Sequence, residues 1–234
     1  MNRIVVITGA TSGYGLATAR KFAAAGDTVI AVSRNAEKVA AAVRENGFAD
    51  GYVLDVTDYA GWVAFKEWVL SRYGRVDVLV NNAGGGVRIS AIETFDGETV
   101  DQTIALNLNS VIYGCSVFAD VFKKQKSGTV VNISSVCARH CWSSWSVYAA
   151  AKAGVLNFTK SLYVELRPYG ARATCVIPAA ASTGFQKSAG IGEVSQSLST
   201  EDIASAVLFA ADMPAGAVVE DMTVWGLSQE MDPI

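Results

Sequence analysis

The sequence predicts an α/β fold: one doubly wound domain over residues 1–234, with a parallel sheet of about seven strands and helices on both faces. Three observations carry this expectation. Short apolar runs alternate with longer amphipathic stretches along the whole chain. The early apolar runs are continuous and β-branched instead of alternating, as parallel strands buried on both faces require. No Pro/Ser-rich linker, charge block or internal repeat interrupts the pattern.

The elements follow in order. Strands are expected at Ile4–Ile7, Thr28–Val32, Gly51–Leu54, Val76–Val80, Thr129–Ile133, Arg172–Ile177 and Met222–Trp225. Helices are expected at Tyr14–Ala25, Ala36–Asn46, Tyr59–Tyr73, Glu98–Lys124, Val147–Pro168 and Thr200–Met213. Asp58 is placed to cap the third helix, Gly26 follows the first, and Ser199 or Thr200 is placed to cap the last. Successive β-then-α units connected by right-handed crossovers give a parallel sheet. The stretch 179–199, rich in Ala, Ser and Gly, reads as a short substrate loop.

Composition narrows the function classes. Hydrophobic residues make up 51% and charged residues 18%, which excludes global disorder. With 19 Lys+Arg against 22 Asp+Glu, the net charge of -3 gives no electrostatic reason to bind nucleic acid. No uninterrupted apolar run reaches the ~20 residues of a membrane span, so no membrane association is expected. The N-terminus lacks the pattern of a signal peptide, and four scattered cysteines are too few for a disulfide framework, so a reduced, cytoplasmic protein is expected. Cys137, His140 and Cys141 form a local cluster, but no second ligand pair accompanies it; pocket-lining or buried thiols are preferred to a metal.

Immediately after the first strand comes Thr8-Gly9-Ala10-Thr11-Ser12-Gly13-Tyr14-Gly15, then a helix. Strand, glycine-rich turn and helix N-terminus make a pyrophosphate site: glycines admit close backbone approach, and free N–H groups and the helix dipole favour an anion. A plain strand-to-helix turn is the alternative, and the opening of a βαβ unit favours the nucleotide. The second strand ends at Ser33-Arg34, where a carboxylate would serve an NAD ribose. Arg34 is either a solvated surface residue or the partner of a 2′-phosphate; the latter reading puts NADP(H) ahead of NAD(H). The third strand's end supplies Asp55 and Val56, suited to an adenine edge, and the fourth leads into Asn82-Ala83-Gly84.

Tyr148 and Lys152 lie four apart in a helical stretch and share one face. Alone such a pair is common on ordinary helices, though a neighbouring ammonium would favour a phenolate. The fifth strand ends in Ser134-Ser135, which brings a hydroxyl to the same sheet edge. Asn107, inside an apolar helix, needs partners for its amide.

Taken together, the Thr8–Gly15 turn, the Asn81–Gly84 run, Asn107, Ser135 and the Tyr148/Lys152 pair resemble the short-chain dehydrogenase/reductase family, in order and approximate spacing across essentially the whole chain. The resemblance implies a Rossmann-type oxidoreductase that moves a hydride between NADP(H) and a small carbonyl/alcohol substrate. It implies Tyr148 as general acid/base, Lys152 lowering the Tyr148 pKa and holding the cofactor ribose, and Ser135 stabilising the substrate oxygen. Asn107 would position a water beside Lys152, and Asn82 and Thr183 would contact the cofactor. A homodimer or homotetramer is the expected assembly by the same analogy.

Two departures stand out. Ala179 occupies a position where many members carry Gly, so the turn there is expected to differ. The tail, Glu220 to Gln229, lacks a Gly-Gly pair and is similar to the 3-hydroxy acid (serine-type) dehydrogenase and aldehyde reductase subgroup. The substrate end offers Arg88, Arg139, Trp142 and Trp145. Cations beside an aromatic wall suit a hydroxy acid or small anionic carbonyl compound; solvated or subunit-contacting arginines are the other reading. A catalytically silent NADP(H)-binding protein, or an isomerase or lyase on the same fold, remains the alternative function.

Overall fold

A computed structural model describes residues 2–181, 183–185, 189–190, 198–227 and 229. Seven strands form one parallel sheet in the order β3-β2-β1-β4-β5-β6-β7. They are β1 (Ile4–Thr8), β2 (Thr28–Ser33), β3 (Asp50–Val53), β4 (Val78–Asn81), β5 (Gly128–Ile133), β6 (Ala171–Pro178) and β7 (Asp221–Val224). The order reverses direction between β1 and β4, so this is the doubly wound arrangement with its switch point between those strands.

Burial explains the continuous apolar runs. Every residue of β1 and of β4 is buried, whereas the edge strands β3 and β7 are half-buried, with Val53 at the end of β3 exposed. Val5, Val6 and Ile7 are wholly inaccessible, as sheet residues covered by helices on both faces must be.

The helices are α1 (Gly13–Ala24), α2 (Ala36–Asn46), α3 (Tyr59–Tyr73), α4 (Gly97–Ile104), α5 (Ser110–Gln125), α6 (Ser146–Leu166) and α7 (Thr200–Ala211). Asn35, Asp58, Asp96 and Ser199 each accept a hydrogen bond from a first-turn backbone N–H, and Ser199 and Asp202 complete a reciprocal capping box. Gly26 follows α1 at φ +88°, beyond Ala25 at the helix end. The apolar packing of Trp62, Phe65 and Phe118 locks α3 and α5 together beneath the sheet.

The structure revises two expectations. The single helix expected over Glu98–Lys124 contains a π-helical turn, Ala105–Asn109, between α4 and α5. There the buried Asn107 amide reaches the Thr103 carbonyl at 3.1 Å and both backbone groups of Gly85, which draws the helix out of regular α register. The helical stretch Gly97–Gln125 does satisfy the length and apolarity of a membrane span, at 29 residues and mean hydropathy 1.4 over its most apolar window. Its apolar side chains, including Phe118 and Phe122, are spent on the core of this fold. Ala179, as alanine favours, has no positive φ, and its N–H donates to Val224 O at 2.9 Å, extending the β6–β7 ladder. Much of the expected loop at 179–199 lies outside the described residues.

Candidate active site

A cavity of about 1090 Å³ opens along the carboxyl ends of the strands. It is lined by Gly9, Thr11, Ser12, Gly13 and Tyr14 of the glycine turn; Ser33 and Arg34 after β2; and Asp55 and Val56 after β3. Asn82, Ala83 and Gly84 after β4, Ser135 after β5, and Tyr148, Lys152, Thr183, Trp142 and Trp145 complete the set of expected residues that meet there.

The glycine turn is shaped for close approach. Gly9 and Gly13 have φ of +67° and +51°, in the region that side chains disfavour. Ser12 at the α1 N-terminus makes no side-chain cap, and the first turn holds no acidic residue. In α2, α3, α4 and α7 a side chain fills that role. The α1 N-terminus therefore presents its backbone donors and positive dipole end to the cavity.

Thr8 and Gly15 shape this end of the cavity without lining it. Thr8 Oγ1 accepts from the backbone N–H groups of Asn82 and Ala83, both at 3.0 Å, and donates to Val80 O. The Asn82 amide donates to Thr8 O at 2.8 Å. These bonds tie the end of β1 to the end of β4. Gly15 faces the Gly9 carbonyl and the Asn82 side chain with no room for a Cβ.

At the opposite wall, Ser134 Oγ donates to Lys152 O at 2.7 Å, and Lys152 Nζ donates to Ile133 O at 3.0 Å. Both bonds fix α6 against the end of β5. Lys152 is only 4% exposed, and its Nζ sits 5.7 Å from the centre of the Tyr148 ring. Burial lowers the Lys152 pKa to about 8, against weaker opposing effects of the nearby Cys175 and Cys137 thiols. Burial likewise pushes the Tyr148 phenol well above its ordinary value, with hydrogen bonding to Ser135 acting the other way. Burial, opposed by the Ser135 hydrogen bond, sets this direction, and Lys152, which the resemblance implies would lower it, does not contribute. Ser135 Oγ also accepts from Cys137 N at 3.2 Å.

Asn107 is fully buried behind the cavity wall. Its Oδ1 accepts from Gly85 N at 3.0 Å and its Nδ2 donates to Gly85 O at 2.9 Å. A Cβ built on Gly84 would stand 3.1 Å from Asn107 Oδ1 and 3.3 Å from Lys152 Nζ, so both side chains converge on that glycine.

Two expected residues lie away from the cavity. Arg139 turns outward to pair with Asp221 and to donate to Thr223 Oγ1 at 2.8 Å on the edge strand β7. Arg88 is exposed, with its guanidinium over the Phe95 ring at 5.9 Å. Lys38, Gln102 and Gln229 line the cavity without having been expected there, whereas Cys137 and Phe185 come from the thiol cluster and the 179–199 loop already read as pocket-lining. Lys38 had a legible signal, one helical turn beyond Arg34. Gln229 had none, because long-range folding alone delivers it.

Comparison with known proteins agrees with this geometry. The short chain dehydrogenase family model matches residues 3–193. A 3-oxoacyl-acyl-carrier-protein reductase of Thermotoga maritima is 38% identical over 180 residues, covering 75% of this chain and 73% of its own. An alcohol dehydrogenase of Thermococcus sibiricus, solved with 5-hydroxy-NADP, superimposes with a TM-score of 0.89 at 26% identity, covering 99% of this chain and 100% of its own. A closed serine dehydrogenase complexed with NADP+ superimposes at 0.91, with 25% identity over 99% of this chain and 98% of its own. The chain belongs to the short-chain dehydrogenase/reductase family of oxidoreductases.

Proposed function

We propose that the protein reduces a carbonyl group, or oxidises the corresponding alcohol, with NADP(H) as the hydride carrier. One observation carries the reading: a single cavity joins the uncapped α1 N-terminus to Ser135, Tyr148 and Lys152. At about 1090 Å³ it exceeds the usual size of a site for one drug-sized ligand, leaving room for a dinucleotide and a small substrate.

The residues present fit the cofactor. Backbone donors at Ser12–Tyr14 suit its pyrophosphate, and Asp55 and Val56 suit its adenine end. Arg34 and Lys38 place two cations where a 2′-phosphate would lie beside the adenosine ribose, with Thr11 and Ser33 hydroxyls between them and the turn. The dinucleotides bound by the two structural relatives support this choice. When bound, the nicotinamide supplies or accepts the hydride.

The chain handles the proton. Burial keeps the Tyr148 phenol protonated at neutral pH, the form needed to donate to a carbonyl oxygen as it takes negative charge. Ser135 hydrogen-bonds that same oxygen and stabilises its developing charge. Lys152, protonated below about pH 8, faces the phenolate left behind. Asn107 is a positioning residue that holds the Gly84-Gly85 backbone next to Lys152.

Loss of NADPH absorbance over a panel of aldehydes and ketones tests the reading. Tyr148→Phe is expected to lower kcat by roughly 10²–10⁴-fold while NADPH binding persists. Equal turnover by the variant would refute the assignment of the proton donor.

A further inference from the structure

The reacting end of the cavity is aromatic. Trp145, Tyr148 and Phe185 touch pairwise: Tyr148 meets Trp145 edge-on at 5.7 Å between centroids and Phe185 edge-on at 5.4 Å. Trp145 and Phe185 lie nearly parallel, 5.9 Å apart and 5° from coplanar orientation. All three rings line the cavity, and Trp142 adds a fourth.

Charge is distributed the other way. Among the described residues, the charged groups lining the cavity are Arg34, Lys38, Asp55 and Lys152. The first three follow β2 and β3, and β2 is three strand positions from β5, roughly 14 Å across the sheet. Lys152 is committed to Ile133 O. Arg88 and Arg139, the cations that would have received an acidic substrate, lie off the cavity against Phe95 and Asp221. A carboxylate drawn in beside Phe185 would lose its hydration with no cation on the described cavity wall beside it to replace it, whereas an aryl group would gain ring contacts.

Resting on the oxidoreductase reading of this same site, we infer that the preferred substrate is an uncharged carbonyl compound bearing an aromatic or similarly flat apolar group. Phe185 and Trp145 determine that preference. The anionic small substrate expected from Arg88 and Arg139 is thereby replaced by a neutral aryl one.

Four ketones separate the two variables: ethyl benzoylacetate, benzoylacetate, ethyl acetoacetate and acetoacetate, assayed with NADPH. The expected order places each ester about tenfold or more above its acid in kcat/KM, and each phenyl compound about tenfold above its methyl counterpart. Phe185→Ala is expected to reduce the phenyl-to-methyl ratio by about tenfold, and Phe185→Leu, which keeps apolar volume, by less. Acids equal to or faster than esters, a ratio unchanged in both variants, or turnover of none of the four would overturn the inference. The underlying reading fails separately: turnover that Tyr148→Phe does not slow counts against that reading, whereas Tyr148-dependent turnover led by the acids overturns the substrate class alone.

Discussion

Replacing Lys152 with methionine gives a stability change whose pH dependence can be calculated from the structure. The Lys152 pKa falls from 10.5 to about 8 on burial. That drop corresponds to about 3 kcal/mol of folding free energy lost to desolvation, fully present below pH 8, where the ammonium is charged in both states. Between about pH 8 and 10.5 the unfolded chain keeps the proton and the folded one releases it. Stability therefore rises with pH across that window. Integrating the two titrations, the wild type recovers about 2 kcal/mol between about pH 7 and about pH 9.5 relative to Lys152→Met. The methionine removes the donor to Ile133 O, which adds an offset independent of pH. The buried Cys115 and Cys175 thiols, pushed up to about 12, destabilise the fold at alkaline pH with the opposite sign. To first order they do so in both proteins and cancel in the difference. Urea unfolding of both proteins at the two pH values measures it. A wild-type-minus-variant difference that stays flat or falls as pH rises would refute the claim that Lys152 sits desolvated in the fold.

Other perturbations test the rest of the site. Gly15→Ala forces a Cβ into the Gly9 carbonyl and Asn82 amide, and is expected to cost about 1–3 kcal/mol, lowering Tm by roughly 2–4 °C per kcal/mol in thermal unfolding. Thr8→Val keeps the shape but leaves Asn82 N and Ala83 N without their acceptor; a loss of about 1–3 kcal/mol per orphaned group is expected in denaturant titration, with Thr8→Ser restoring most of it. Arg34→Ala is expected to weaken NADPH binding by roughly 10–100-fold in fluorescence titration, from the loss of a charge-assisted bond of ~1.5–3 kcal/mol, and to leave NADH affinity nearly constant. Equal weakening of both nucleotides would remove Arg34 from phosphate recognition.

How much of this was legible depended on whether the signal was local. The Val5-Val6-Ile7 run declared a strand buried on both faces because burial on both faces is what a continuous β-branched run encodes. Asp58 and Ser199 announced their helices through the same hydrogen bonds seen in the structure. Tyr148 and Lys152 shared a face by helical geometry alone. Asn107 was visible as an anomaly, a polar amide in an apolar helix, but its π-turn was not, because the partner is Gly85, twenty-two positions away. Arg139 was open to two readings, a substrate cation or a solvated or subunit-contacting residue, and its actual partners were hidden for a similar reason. Its partners Asp221 and Thr223 lie on β7, brought alongside by sheet order and not by sequence proximity.

The same distinction separates residues that touch the cavity from those that hold it. Thr8, Asn107 and Ser134 are buried polar groups whose side chains bond backbone atoms of neighbouring elements. Each such bond satisfies a strand-end or helix group that would otherwise be costly to bury, and each joins two elements across the sheet's carboxyl edge. Thr8 spans β1 and β4, Asn107 anchors the Gly85 loop to the π-turn, and Ser134 fixes α6 to β5. The three junctions bracket the cavity from the glycine turn to the Tyr148 wall. A site assembled from at least five strand ends needs them, because the proton transfer proposed at Tyr148 would depend on placement to a fraction of an ångström, which loops alone do not supply. The polar residues read from sequence as a catalytic and cofactor set therefore divide into those that line the cavity and those that set the distances between them.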